Sequence, residues 1–182
     1  MKKIKFFIAL LILFFVSCIS DVDFDQVNDI EIITPYLATL VYFNADSNFF
    51  LDDLQNEVLA ISDTTEHPIF KGPYNEEYLV QADFNFKMSN SFDRDITVQI
   101  LFLDEVDTTT YTFAPMYVSA NNLNFESLQV INEASIPSVV SSEKIVISLL
   151  MGTGSNPLDS NSSMNLDFQS SVEFLYKITV DE

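Results

Sequence analysis

Basic residues are scarce in this chain. Eight Lys and Arg stand against 27 Asp and Glu in 182 residues, a formal charge of −19. Unspecific binding to nucleic acid or to an anionic lipid surface needs clustered Lys and Arg, so neither is expected. There is one cysteine, Cys18, which excludes an internal disulfide framework and a thiolate metal cluster. There is one histidine, His67, so no His pair exists to hold zinc, and a serine nucleophile has no other usual base. No Gly-x-Ser-x-Gly occurs. His67 precedes Pro68 and reads as a solvated loop residue. With only three glycines, Asn and Asp must supply many of the turn positions with positive φ. Tryptophan is absent. The longest apolar run, Phe6 to Val16, has 11 residues, against about 20 for a spanning helix.

That run follows Lys2, Lys3 and Lys5 and has the form of a secretory signal. It ends in Phe15-Val16-Ser17-Cys18, which resembles the lipobox of bacterial lipoprotein precursors. Ser17 fits the small position before the cut, and Phe15 stands where Leu is usual. The resemblance implies a diacylglycerol on the Cys18 thiol, cleavage after Ser17, and acylation of the new amino terminus. Several acyl chains anchor far more stably than one, at about 0.8 kcal/mol per buried CH₂. Removing the first 17 of 182 residues leaves 165, with five bases against 27 acids and a charge of −22. That length suits one domain, burying roughly 70% of the unfolded chain's surface. Ile19 to Asp25 is acidic, with its acids alternating with Val and Phe. It resembles the acidic tethers of Bacteroidota-type surface lipoproteins. The expected address is the outer membrane, lipid-anchored and at the cell surface, or otherwise facing the periplasm. The expected parts are a signal at 1–17, a lipidated Cys and tether at 18–34, and a folded domain at 35–182.

From Pro35 onward the period is two. Tyr78 to Met88 places Tyr78, Val80, Ala82, Phe84, Phe86 and Met88 on one face and Leu79, Gln81, Asp83, Asn85 and Lys87 on the other, as a half-buried strand does. Asn90 to Asp95 reads as a turn, and Ile96 to Leu103 as the pairing strand. Tyr36 to Phe43, Glu57 to Ser62, Thr108 to Phe113 and Lys144 to Met151 are further strands, the last without alternation and so expected to be covered on both faces. Leu166 to Val180 alternates over a length that predicts a bulge or bend near Ser170 and Ser171. Ser47 caps a short turn, and Pro137 starts another through Val140. Seven or eight strands with short polar turns predict an all-β antiparallel sandwich, immunoglobulin-like in arrangement, with a small β-barrel as the alternative.

No chemistry stands out from this frame. Asp21, Asp23, Asp25, Asp29 and Glu31 resemble the start of a calcium loop, but Gln26 and Ile32 replace its Gly and Glu. Asp104, Glu105 and Asp107 at a strand turn are weak Ca²⁺ candidates; no other cofactor is expected. Gly152-Thr153-Gly154-Ser155 lacks the Lys and following helix of a phosphate loop and reads as plain loop. No feature singles out a catalytic pair of carboxylates. Asp63-Thr64-Thr65 and Asp107-Thr108-Thr109 resemble the short acceptor of O-glycosylated exported proteins, which implies modification at Thr64 and Thr108. The expected function is non-enzymatic: a lipid-anchored envelope or surface module for interaction or structure. The alternative is glycan binding, with Tyr36, Tyr74, Tyr111 and Tyr117 as stacking platforms. Further alternatives are an acidic inhibitor of cationic host enzymes, steered by the −22 charge, and an enzyme, for which no catalytic group stands out. Expected partners are the membrane, through Cys18, and an envelope protein or a glycan.

Overall fold

A computed structural model describes residues 31–179. The lipobox and the tether, with Ser17 and Cys18, lie outside the described residues. The chain divides into a compact unit, Ile33–Lys177, and a second unit made of the two chain ends. The sandwich described here is the first of these. Among the described residues no helix is long and apolar enough to cross a membrane.

Among the described residues nine strands form two antiparallel sheets. One has the order β1 (Glu31–Asp46), β9 (Asn165–Thr179), β3 (Leu79–Asn90), β7 (Phe125–Ile131). The other has β2 (Ala60–Glu66), β8 (Lys144–Met151) and β4 (Ile96–Leu103). Along the far edge of β4 run β5 (Thr109–Thr112) and β6 (Met116–Val118). β5 pairs with Leu101–Leu103 and β6 with Ile96–Val98, so the two are one edge strand broken around Pro115. Proline has no N–H to donate, and edge strands are where such a break is tolerated.

The all-β sandwich expected from the sequence is the fold. Its strand order departs from the immunoglobulin arrangement, in which the first two strands share a sheet. Here β1 and β2 lie in opposite sheets, as do β2 and β3, β3 and β4, β7 and β8, and β8 and β9. This is the connectivity of a jelly roll.

Alternation places the core. Ala82, Phe84, Phe86 and Met88 of β3 face Ile96, Val98, Ile100 and Phe102 of β4, and all are buried. Phe84 lies 4.8 Å from Phe113, 5.9 Å from Phe102 and 6.0 Å from Phe70, ring centre to ring centre. Edge and tilted contacts of this kind are the favoured aromatic geometries.

Several local expectations are corrected. Tyr78 ends a short helix, Pro73–Tyr78, that opens after Gly72 at φ 141°, a conformation that favours glycine. β3 slips register between Leu79 and Gln81, so Leu79 rather than Val80 is buried. β9 shows no bulge at Ser170; its register with β3 is continuous from Leu166 to Leu175. β2 begins at Ala60, because Glu57 is used elsewhere. β8 is not covered on both faces, since Leu150 is 54% exposed. The two helical signals do form short turns. Asp46 rather than Ser47 caps the first, accepting from Asn48 N at 2.8 Å. Pro137 sits in the first turn of Ile136–Val140. Positive φ falls at Asp107 and Asn121, as the glycine shortage requires, and also at Gln55.

Candidate functional site

The two open sides of the sandwich differ. On one side, Gln129 of β7 reaches across to the opposite sheet's edge strand. Its Oε1 accepts from Ala114 N at 2.9 Å and its Nε2 donates to Ala114 O at 3.0 Å. That amide imitates a strand pair and closes the side. On the other side β1 faces β2 with no such bridge among the described residues, and a slot of about 480 Å³ lies between them.

One wall of the slot is β1. Its inward residues run Tyr36, Ala38, Leu40, and then slip by one to Val41, Phe43, Ala45. The buried Ser170 hydroxyl fills the break, accepting from Val41 N at 3.1 Å and donating to Val41 O at 3.2 Å. Phe43 then stacks on Phe168, centroids 4.8 Å apart. The floor is Ile145, Ile147 and Leu149 of β8. The other wall is Ile61, Asp63 and Thr65 of β2, registered against Leu149, Ile147 and Ile145. The slot is mostly apolar, and among the described residues Asp63 is the one carboxylate lining it.

The edge of β2 is also defined. Leu59 O accepts from Met151 N at 2.7 Å, and His67 N donates to Glu143 O at 2.7 Å. Odd-numbered residues of β2 therefore bond to β8. Ser62 and Thr64 turn their N–H and C=O groups to the free edge. The Asp63 carboxylate accepts from Thr64 N at 2.9 Å and covers one of these donors. An inward charge on an edge strand guards against unspecific pairing.

The segment that separates β1 from β2, residues 47–59, is held by Arg94, the only arginine in the chain. The Arg94 side chain is 1% exposed. Its two terminal nitrogens bond Glu57, at 2.8 Å to Oε2 and 3.0 Å to Oε1. One of them also bonds Asn156 O. Its Nε lies 3.6 Å from Asp93, an ion-pair distance rather than a hydrogen bond. Glu57 Oε1 accepts in addition from Leu158 N at 2.8 Å. A Cβ at Gly154 would stand 2.8 Å from Arg94 Cζ, so this loop needs glycine to pass the guanidinium. Phe50 adds an edge-on contact to Phe92, 5.7 Å away. Sequence reading missed this clamp. The available signal was the lone Arg inside the Asn90–Asp95 turn.

The residues singled out from sequence lie apart from the slot, except at β2. Thr64 is exposed on β2, turned away from the slot, and Thr108 is exposed in the β4–β5 turn. In that turn Asp104 Oδ1 accepts from Val106 N at 3.0 Å and Thr108 N at 2.8 Å. Asp107 Oδ1 accepts from Lys144 Nζ at 2.6 Å, and Glu105 is exposed. These carboxylates are engaged in turn bonds and an ion pair. Among the described residues no three His, Cys, Asp or Glu side chains gather as a metal site. His67 is half-buried rather than solvated, 5.6 Å from the Phe70 ring. Burial pushes its pKa down. Tyr36 and Tyr74 are 58% and 50% exposed. Tyr74 lies 4.9 Å from the Tyr176 ring, and Tyr36 lies 6.4 Å from its neighbour Phe174. Tyr111 packs edge-on against Phe113, and Tyr117 is exposed on β6.

No family model matches the chain, and no curated protein does. Among solved structures, a protein of Parabacteroides distasonis described as secreted is similar over 63% of this chain. The TM-score is 0.51 at 15% identity. The chain spans 37% of that protein's length. The coat protein of Tobacco streak virus aligns over 82% of this chain and 89% of its own, with a TM-score of 0.41 and 9% identity. A protein of the disulfide-linked pili of Bacillus endospore appendages aligns over 85% and 94%, with a TM-score of 0.36 and 8% identity. The first of these likenesses is one of fold.

Changing Glu57 takes the two-pronged partner from a buried guanidinium, which keeps Asn156 O and the nearby Asp93. Because the Glu57 carboxylate is itself exposed, Glu57→Gln is expected to cost about 1–3 kcal/mol and to lower Tm by about 2–12 °C. Replacing both partners, Arg94→Met with Glu57→Leu, recovers much of that loss. The bonds from Arg94 and then Leu158 hold the Glu57 carboxyl below its ordinary value of 4.5. The unfolded chain therefore takes up this proton first. The contribution is full above about pH 4.5 and is lost as pH falls through the lower folded value. Thermal melts from pH 7 to pH 3 check both points, and Glu57→Gln flattens the acid limb.

Proposed function

We propose that this chain is an exported, lipid-anchored interaction module that carries a jelly-roll sandwich outside a membrane and receives a partner in the slot between β1 and β2. The observation that carries this is the contrast between the two sides of the sandwich. One is stitched by Gln129 to Ala114, and the other keeps an apolar slot between two strand edges. Apolar surface left open at a concave site is a usual mark of a binding surface. Export and anchoring are supported by the lipobox at Phe15 to Cys18 and the apolar run ahead of it. The alternating acids after Cys18 support a tether that stands off an anionic membrane and continues to the cell surface. The role is recognition rather than catalysis.

Protease shaving of intact cells, with a Cys18→Ala control, tests the address. The expected result is loss of the wild-type protein from whole cells and release of the Cys18→Ala form from the membrane fraction. Digestion only after lysis would move the module to the periplasmic face, and a membrane-bound Cys18→Ala form would remove the lipid anchor.

A second use of the same module has its own observation. Tyr36 and Tyr74 are the exposed members of an aromatic group that includes Phe174 and Tyr176. Exposed tyrosine faces suit stacking on sugar rings. On a glycan array, retention lost in Tyr36→Ala with Tyr74→Ala supports glycan binding, and unchanged retention removes it.

A further inference from the structure

We propose that the occupant of the slot is an extended peptide segment of a cationic partner, added as a strand along β2 with a basic side chain set against Asp63. This rests on the interaction-module reading above and names the chemistry of its partner.

Four observations converge on it. The inward row of β2 lacks a covering layer: Asp63 and Thr65 point toward the core side and remain exposed, whereas Phe43 and Ala45 of the opposite wall are half-buried and buried. The free edge presents Ser62 and Thr64 backbone groups, which an added strand pairs and an acyl chain leaves to water. The slot, at about 480 Å³, is some three times the ~150 Å³ cavity that takes up one benzene ring. It therefore has room for about three inward side chains, matching the three inward positions Ile61, Asp63 and Thr65. Finally, the one side chain lining the slot that carries a charge at neutral pH is the Asp63 carboxylate, on a chain whose formal charge is −19. That field draws cationic partners and repels a second copy.

The recognised pattern follows from cross-strand pairing. Alternate residues of the guest point inward. An apolar one faces Ile61, a Lys or Arg faces Asp63, and a small or β-branched one faces Thr65. The incoming base takes over the Asp63 carboxylate, which frees Thr64 N–H to pair with the guest backbone. The guard on the edge then doubles as the selector for its partner.

The test uses the full-length lipoprotein in detergent and fluorescent ten-residue peptides of alternating pattern. The central inward residue is Lys, Glu or Ala, and a scrambled peptide of the Lys composition serves as control. The expected result is saturable binding of the Lys peptide and none of the scrambled one. Asp63→Asn weakens the Lys peptide about two- to fivefold, and Asp63→Lys transfers preference to the Glu peptide. Both substitutions sit on an exposed strand, and an unchanged melting temperature shows that the fold is kept. Equal binding of Lys and Glu peptides, or uptake of a fatty acid with no peptide bound, overturns the proposal. So does dimerisation through this face. In parallel, cells are crosslinked from a photoreactive residue at Ser62. A captured partner with no peptide binding defeats the strand proposal and leaves the module reading standing. No captured partner from Ser62, nor from photoreactive residues placed in turn at the exposed Tyr117 and Leu128, defeats the module reading itself.

Discussion

One guanidinium fixes the part of this molecule on which its proposed function depends. Arg94 is the chain's only arginine, and its side chain is almost wholly buried. It draws together three segments far apart in sequence: the crossing 47–59 through Glu57, its own β3–β4 turn, and the loop around Asn156. A buried ion pair is weak evidence of net stability, because desolvation offsets much of the attraction. Its effect here is geometric. The crossing carries the chain from β1 in one sheet to β2 in the other, and Glu57 clamps it between the end of β1 at Asp46 and the start of β2 at Ala60.

Strand order does the rest. In the jelly-roll connectivity β1 and β2 are edge strands of opposite sheets, so the first crossing leaves them facing one another over a gap. The far side has the same problem, with β7 facing the broken β5–β6 edge, and one glutamine side chain solves it. The near side carries Asp63 and Thr65 where core residues would otherwise stand. A fold that closes one side and places a charge in the other has kept an edge available while discouraging indiscriminate pairing.

What could be read from the sequence follows the same division. β4 and β8 were legible to the residue, because both are central strands whose apolar runs end at polar turns. The short turns at Ser47 and Pro137 were legible in place, the second from proline's fit to a helix start, although Asp46 rather than Ser47 caps the first. β7 was missed because its polarity is inverted: Leu128 and Val130 point outward, while Ser127 and Gln129 point in. β2 was displaced by three residues for a related reason. Its inward Asp63 and Thr65 erase the alternation, and Glu57, which fits a strand pattern, serves as an ion-pair partner. The slip at Leu40 and Val41 was placed on the wrong strand, since Ser170 marks the bridge across the irregularity rather than the irregularity itself. The slot and its clamp therefore lay where period-two reasoning fails, in side chains that meet across 37 to 101 positions of sequence.

The account stands on the β1–β2 side being open in the intact protein. Amide hydrogen exchange along β2 of the full-length protein tests this most directly. The account predicts alternation: slow exchange at Ile61, Asp63 and Thr65, which bond to β8, and fast exchange at Ser62, which faces the free edge. Uniform protection across 61–65 would show another strand already seated there, and the slot would not be a binding site.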